Sequence, residues 1–342
     1  MVEFSQHPPF ALGTFSFAGC APFAGAVFQD KIIALNAVRP LAVSKGLPFG
    51  RADTMQDMLD SWVTNFDTLL TIFGEAGEMQ GLGLPTADIA VATIHAPVPS
   101  PRQIFCAGAN YRKHVVDLVV DHGGGPETQN MSADERRVYA NKQLDERASN
   151  GTPYAFVKLA SAVTGPFDAI ALPTNAIQSD WELELGVVMG RAARNISAKD
   201  ALQYIAGYTV TNDLTCRDRV YRNDMKILGT DWLQGKCSPG FLPVGPYLVP
   251  SRFIGDPQKL HLQLKLNGQV MQDESTSDMI FSVARIIEYL SHYIQLWPGD
   301  LICTGSPSGN GTHYGRYLRD GDVLEGSISG LGTQRNICVA PD

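Results

Sequence analysis

The stretch Asp180-Trp181-Glu182-Leu183-Glu184-Leu185-Gly186-Val187-Val188-Met189-Gly190, with Tyr208-Thr209-Val210-Thr211-Asn212-Asp213 shortly after it, organises the reading of this chain. Side chains two apart on a strand share a face, so Glu182 and Glu184 are expected together, with Leu183 and Leu185 opposite. The run continues as Val-Val-Met rather than alternating with polar residues, which predicts a strand covered on both faces. Two covered carboxylates repel each other and lose hydration, a state that a neighbouring cation relieves. With Asp213 at the end of a second strand, three carboxylates can converge on one divalent ion. An all-oxygen set suits Mg²⁺ or Mn²⁺, with Ca²⁺ also admissible, rather than Zn²⁺. Without its apolar flanks, Glu-x-Glu would read as an ordinary solvated strand face.

The 342 residues are 44% hydrophobic and 18% charged, enough to build an extensive core in more than one structural unit. A formal net charge of −8 and the absence of any basic run argue against a nucleic-acid surface. No apolar stretch reaches membrane-spanning length. The opening Met-Val-Glu-Phe-Ser-Gln-His lacks a basic segment followed by an apolar one, so a cytoplasmic location is expected. Cysteines at 20, 106, 216, 237, 303 and 338 form no Cys-x-x-Cys pair, which fits reduced thiols.

Residues 1–100 read as a small N-terminal α+β domain. Ala26 to Leu35 resembles two short strands about a polar turn. Thr54 opens a helix carrying Met55, Met58, Leu59, Trp62, Phe66, Leu69, Leu70 and Phe73 on one face, with Gly74 as its stop. The proline-rich His95 to Pro101 is the expected boundary. Residues 101–342 then favour strands. Asn267-Gly268 between Leu264 to Leu266 and Val270-Met271 signals a hairpin. A helix is expected after Ser277-Asp278, carrying Phe281, Val283, Ile286, Ile287, Leu290 and Tyr293. Ser197 is a candidate cap for a helix over 198–205. Residues 118–151, Gly-rich and then charged, are expected as an inserted, partly helical lid of low stability.

Two further groups carry chemistry. In Asn110-Tyr111-Arg112-Lys113-His114-Val115-Val116-Asp117, Asn110 can cap a short helix that puts His114 and Asp117 on one face. A carboxylate touching one ring nitrogen would fix the tautomer and leave the other to take a proton from water. The same spacing also fits a surface histidine with an acid nearby. Lys158, Arg217, Lys236 and Thr304-Gly305 lie in or beside apolar or Gly-rich elements, where oxyanion or carboxylate binding is open to them. Gly305 to Gly311 lacks the Gly-Lys-Ser/Thr of a P-loop, and no Gly-x-Ser-x-Gly elbow occurs.

Together these segments resemble the fumarylacetoacetate hydrolase superfamily over roughly residues 102–338. The resemblance rests on Gly108-x-Asn110-Tyr111-x-x-His114, Phe156-Val-Lys158, Trp181-Glu-x-Glu-Leu-Gly186, Asn212-Asp213 with Arg217-Asp218, Gly235-Lys236, Pro298-Gly-Asp300 to Thr304-Gly305, and Asp320-Gly-Asp322. It implies a β-rich α+β fold, a mixed β-roll catalytic domain, and usually a homodimer. It further implies an enzyme of β-diketo or 2-oxo acids, the group spanning acylpyruvate hydrolases, oxaloacetate-type decarboxylases and isomerases of aromatic catabolism. By motif match, Glu182, Glu184 and Asp213 are metal ligands and His114 the base, with Asp117 beside it. Tyr111, Lys158, Arg217, Lys236, Thr304 and Gly305 fall at substrate or oxyanion positions. Asp117 stands where the family often has Glu, Val220 where it has Gln, and the insertion at 118–151 replaces a shorter lid.

The expectation is a metal-dependent hydrolase that cleaves a C–C bond in an acylpyruvate-type acid. A decarboxylase or isomerase of a related 2-oxo acid is the alternative, and a non-catalytic metal-binding protein the alternative of another class.

Overall fold

A computed structural model of the protein describes residues 8–74, 81–123 and 125–340. The acidic stretch forms the strand Leu183–Met189, buried at all seven positions as expected of a doubly covered strand. It lies inside a six-stranded sheet whose spatial order is Val249–Pro250, Ile205–Asn212, Leu183–Met189, Leu301–Cys303, Ile104–Gly108 and Tyr154–Lys158. All pairings are antiparallel except that of Leu301–Cys303 with Ile104–Gly108. A five-stranded sheet of Gln269–Ser275, His261–Leu266, Val323–Ile328, Gly332–Val339 and Ile170–Ala171 packs against it. Leu183, Leu185, Val187 and Met189 share one core with Leu262, Leu264, Leu324 and Ile328 of that second sheet. Val188 on the opposite face joins a second core. The result is the strand-rich, mixed fold that the pattern implied.

The first hundred residues supply that second core. Their sheet runs Ala87–Asp88, Lys31–Ala34, Phe23–Phe28, Ala11–Ser16, Thr93–Ile94. Strands Phe23–Phe28 and Lys31–Ala34 form the expected hairpin, with Gln29 at φ 52° in its turn. The expected single helix after Thr54 is two, Met55–Asp60 and Trp62–Phe73, parted at Ser61, where ψ of 33° leaves the helical region. Thr54 does open the first through a reciprocal capping box with Asp57. Phe10, Phe28, Phe66 and Phe73 cluster in tilted and edge-to-face pairs, with Phe253 edge-on to Phe10 and Phe66, centroids 4.7–6.2 Å apart. Burying each such ring contributes on the order of 2–3 kcal/mol. The cluster continues into Leu248, Leu301 and Cys303 of the main sheet, and Leu12 exchanges backbone hydrogen bonds with Leu248.

Asn267-Gly268 turns the hairpin His261–Leu266 to Gln269–Ser275 with φ of 52° and 81°, the left-handed pair that a two-residue turn requires. The helix expected after Asp278 begins at Val283, because Ser282 caps it by accepting from the Arg285 N–H. After Ser197 only Ala198–Ala201 is α-helical, and the Ser197 hydroxyl bonds the Asp200 carboxylate instead of a free N–H.

The described part of 112–150 is largely helical. Helix Arg112–His122 lies against helix Ala133–Asn150, which opens on a Ser132–Glu135 capping box. Val116, Ala140 and Leu144 form a small core between them. No helix among the described residues is long and apolar enough to cross a membrane.

Candidate metal centre and active site

Backbone pairing brings the three ligand candidates together. Leu183 sits opposite Asn212 in the register. The Glu182 N–H donates to the Asn212 side-chain oxygen (2.9 Å), and the Asp213 N–H donates to the Glu182 carbonyl (2.8 Å). Carboxylate oxygens of Glu182, Glu184 and Asp213 thereby lie within 4.8 Å of one another. Glu184 and Asp213 are buried, and Glu182 keeps 13% of its side chain exposed.

Three cations surround two of these acids. Lys158 Nζ bonds Asp213 and the Leu214 carbonyl (2.9 Å). Lys236 Nζ reaches Asp213 at 2.6 Å and Glu182 at 3.0 Å, with the Phe156 ring 5.1 Å away. Arg217 joins Glu182 to the fully buried Asp180, its Nε 2.8 Å from that carboxylate. Burial pushes the Glu182 carboxyl up, but Arg217 and Lys236 override it and hold it at about 2. Burial would lower the Lys236 ammonium, yet Asp213 and Glu182 raise it above its ordinary value.

Glu184 is different. Among the described residues no cation pairs with it, and its Oε2 accepts only the Gly305 N–H, at 2.7 Å. Burial, then the Asp213 charge, pushes its carboxyl well above the usual range. Asp180, Glu182, Glu184 and Asp213 thus face three cations, Lys158, Arg217 and Lys236. The missing positive charge lies where three carboxylates converge. A divalent cation fits that donor set. The buried Tyr111 hydroxyl lacks a hydrogen-bond partner, and burial together with the Glu184 charge keeps it protonated, as a donor.

Gly305 reaches Glu184 by way of a backbone turn at φ 99°, and a Cβ there would come within 2.8 Å of Asn110 Cβ. Asn110 itself is not the helix cap that its position suggested. Its amide donates to the carbonyls of Phe281 (3.0 Å) and Thr304 (2.8 Å), and its oxygen accepts from the Phe281 N–H (2.9 Å). Tyr111 takes the cap position, without a side-chain bond.

His114 is half-buried on helix Arg112–His122. Burial lowers its pKa below 6.5; the nearby Glu182 pulls it up and Arg217 pushes it down. Asp117 does not hydrogen-bond the imidazole. Its carboxylate accepts from Ser308 Oγ at 2.6 Å and Lys113 Nζ at 2.9 Å, because the i,i+4 lysine and the facing loop offer full donors. The Thr304 hydroxyl likewise turns away from the site, to the Leu185 carbonyl (2.9 Å). Lys158, Lys236 and Arg217, expected to be available for substrate, are committed to the carboxylates.

Sequence reasoning assigned no role to Asp180. It accepts hydrogen bonds from the N–H groups of Trp181, Gly311 and Thr312 and from the Thr312 hydroxyl as well as from Arg217. The one signal that could have found it is an acid directly preceding the apolar Trp181.

The family model described as fumarylacetoacetate (FAA) hydrolase C-terminal matches residues 103–339. A 2,4-didehydro-3-deoxy-L-rhamnonate hydrolase of Sphingomonas is 46% identical over 186 residues, 54% of this chain and 64% of that protein, so the match spans less than two thirds of that relative. A mitochondrial oxaloacetate tautomerase of Rattus norvegicus is 34% identical over 258 residues, 75% of this chain and 72% of its own. In fold, the chain is similar to the maleylpyruvate hydrolase of Sphingobium, solved with manganese(II) and pyruvate, with a TM-score of 0.69 at 22% identity over 97% of this chain and all of that one. With the family model covering more than half of its length, this chain belongs to the fumarylacetoacetate hydrolase family.

Proposed function

We propose that the protein is a Mg²⁺- or Mn²⁺-dependent hydrolase that cleaves a C–C bond in an acylpyruvate-type or other β-diketo acid. The observation that carries this reading is Glu184: a buried carboxylate without a cation, in a triangle with two neutralised ones, beside a histidine that burial keeps neutral. A cation held by Glu182, Glu184 and Asp213 would supply Lewis-acid polarisation of the 2-keto oxygen.

The chain's own residues account for the rest. Neutral His114 takes a proton from water as its oxygen adds to the distal carbonyl. The bond from that carbonyl carbon to the neighbouring methylene breaks, and the proton returns from His114 to the methylene carbon. A carboxylic acid and a shorter 2-oxo acid leave, with one water consumed. Tyr111, with its hydroxyl free to donate, is the reading's hydrogen-bond donor in the site. Lys158 and Lys236 orient Asp213, and Arg217 and Lys236 orient Glu182, as carboxylate partners do for ligands generally. Asp117 anchors the helix of His114 through Ser308 and acts on the ring only through its charge, without a hydrogen bond.

A second reading is supported by the same commitments. Enol–keto interconversion of a 2-oxo acid needs a base but no extra oxyanion donors, and Lys158, Lys236 and the Thr304 hydroxyl are all occupied. The tautomerase relative favours it too. A homodimer belongs to the proposal, supported by the sheet-edge strand Tyr154–Lys158, which leaves Val157 59% and neighbouring Leu159 48% exposed.

Acylpyruvates and oxaloacetate incubated with the protein and Mn²⁺ separate the readings. Equal amounts of pyruvate and a carboxylic acid support hydrolysis. Loss of the enol absorbance without cleavage selects the tautomerase, CO₂ release a decarboxylase, and no turnover removes all three.

A further inference from the structure

Helix Ala133–Asn150 presents few apolar residues, Ala140 and Leu144 among them, to the helix that carries His114. Polar contacts do most of the joining. Arg112 reaches Asp145 at 2.7 Å and Asn141 at 3.3 Å, and Arg136 donates to the carbonyls of Val120 (3.1 Å) and Thr128 (3.2 Å). Near its C-terminal end Arg147 does something else. Its guanidinium donates to the Ala109 carbonyl at 2.8 Å and lies 5.3 Å from the centroid of the Phe281 ring. Among the described residues it has no carboxylate partner, and burial lowers its pKa.

Ala109 is an unusual place for such an anchor. Its φ of 50° is a left-handed conformation that a residue with a Cβ adopts only when its surroundings hold it there. This bend turns the chain out of strand Ile104–Gly108 and into the His114 helix, which begins three residues later at Arg112. On the other side of the bend, the Asn110 side chain is fastened to Phe281 and Thr304, and the Ile280 N–H donates to the Asn110 carbonyl at 2.7 Å. Arg147 closes the remaining side. A guanidinium hydrogen-bonded to a carbonyl forms a charge-assisted bond, and its Cζ lies over the Phe281 ring within cation–π range.

We infer that the insertion at 118–151 braces the His114 helix, and that Arg147 is the positioning residue through which it sets the place of His114. The role rests on the reading of His114 as the base, but the brace can be tested without turnover. Arg147 touches no reacting atom. It acts by holding the Ala109 bend, and a displacement of the base by about 1 Å costs up to roughly 100-fold in rate.

The experiment is hydrogen exchange of the full chain with Mn²⁺ in wild type and R147M. The apolar variant retains a long stem against Phe281 and removes the donor. In R147M residues 112–122 should exchange faster while 183–189 and the Mn²⁺ affinity stay unchanged. With a substrate that turns over, kcat should fall on the order of 10- to 100-fold with little change in KM, and R147K should recover part of it. Wild-type exchange of 112–122 in R147M would overturn the brace. Should R147M fail to fold, R147Q must show the same local loss, and its absence is equally fatal. If no 2-oxo acid is turned over, the proposed function fails while the exchange comparison still decides the brace.

Discussion

The Glu184 carboxylate accepts the Gly305 N–H at 2.7 Å and meets no cation among the described residues, whereas Glu182 and Asp213 beside it are both clasped by Lys236. One backbone donor cannot compensate a buried charge. The asymmetry makes Glu184 the residue through which the state of the site should be read.

E184Q removes that charge and should leave the fold intact. Its folded pKa lies above the ordinary value, so ionised Glu184 opposes folding of the metal-free chain as pH rises through that pKa. The metal-free variant should therefore melt no lower than wild type at pH 7. Mn²⁺ binding by calorimetry should weaken by more than the roughly 10- to 100-fold that losing a ligand's supporting partner costs. Wild-type Mn²⁺ affinity in E184Q would remove Glu184 from the ligand set.

H114N should bind Mn²⁺ as wild type does and lose on the order of 10²- to 10⁴-fold in turnover. Burial lowers the imidazole pKa, so the neutral base persists below pH 6.5 and the acid limb of kcat/KM should lie below that value. An acid limb above 6.5, or turnover retained in H114N, would assign the proton transfer elsewhere.

Asp300 gives a pH effect remote from catalysis. It accepts from Gln103 Nε2 and the Trp297 N–H, both at 2.7 Å, while its other oxygen has no partner; burial raises its carboxyl to about 6. A folded pKa above the unfolded value stabilises below the unfolded pKa, and that stability is lost as pH rises through about 6. The stability of D300N relative to wild type should then increase between pH 4 and pH 7 by about 2–3 kcal/mol, read from urea unfolding at each pH. A difference constant with pH would show that Asp300 titrates normally.

N110A strips the hydrogen bonds from the Phe281 N–H and from the carbonyls of Phe281 and Thr304. Each buried group left unpaired costs about 1–3 kcal/mol, so chemical denaturation should show a loss of roughly 3 kcal/mol or more. A loss below about 1 kcal/mol would mean that water or a neighbour takes over these groups.

What the sequence determined by itself lies in short-range pattern. Unbroken apolar flanks marked Leu183–Met189 as doubly covered, Asn267-Gly268 fixed a turn, and Thr54 with Asp57 opened a helix. Glu182, Glu184 and Asp213 could be grouped because strand periodicity and chain order alone nearly force their convergence. Tertiary structure alone decided the partners. Ser308 lies 191 positions from Asp117, and Lys158 lies 55 positions from Asp213. Whether a lysine serves a substrate or a ligand carboxylate, and whether an aspartate touches a histidine or a serine, depends on which donor packing delivers to within 3 Å. Local spacing only lists the candidates, since hydrogen bonds and ion pairs select by distance in space and not along the chain.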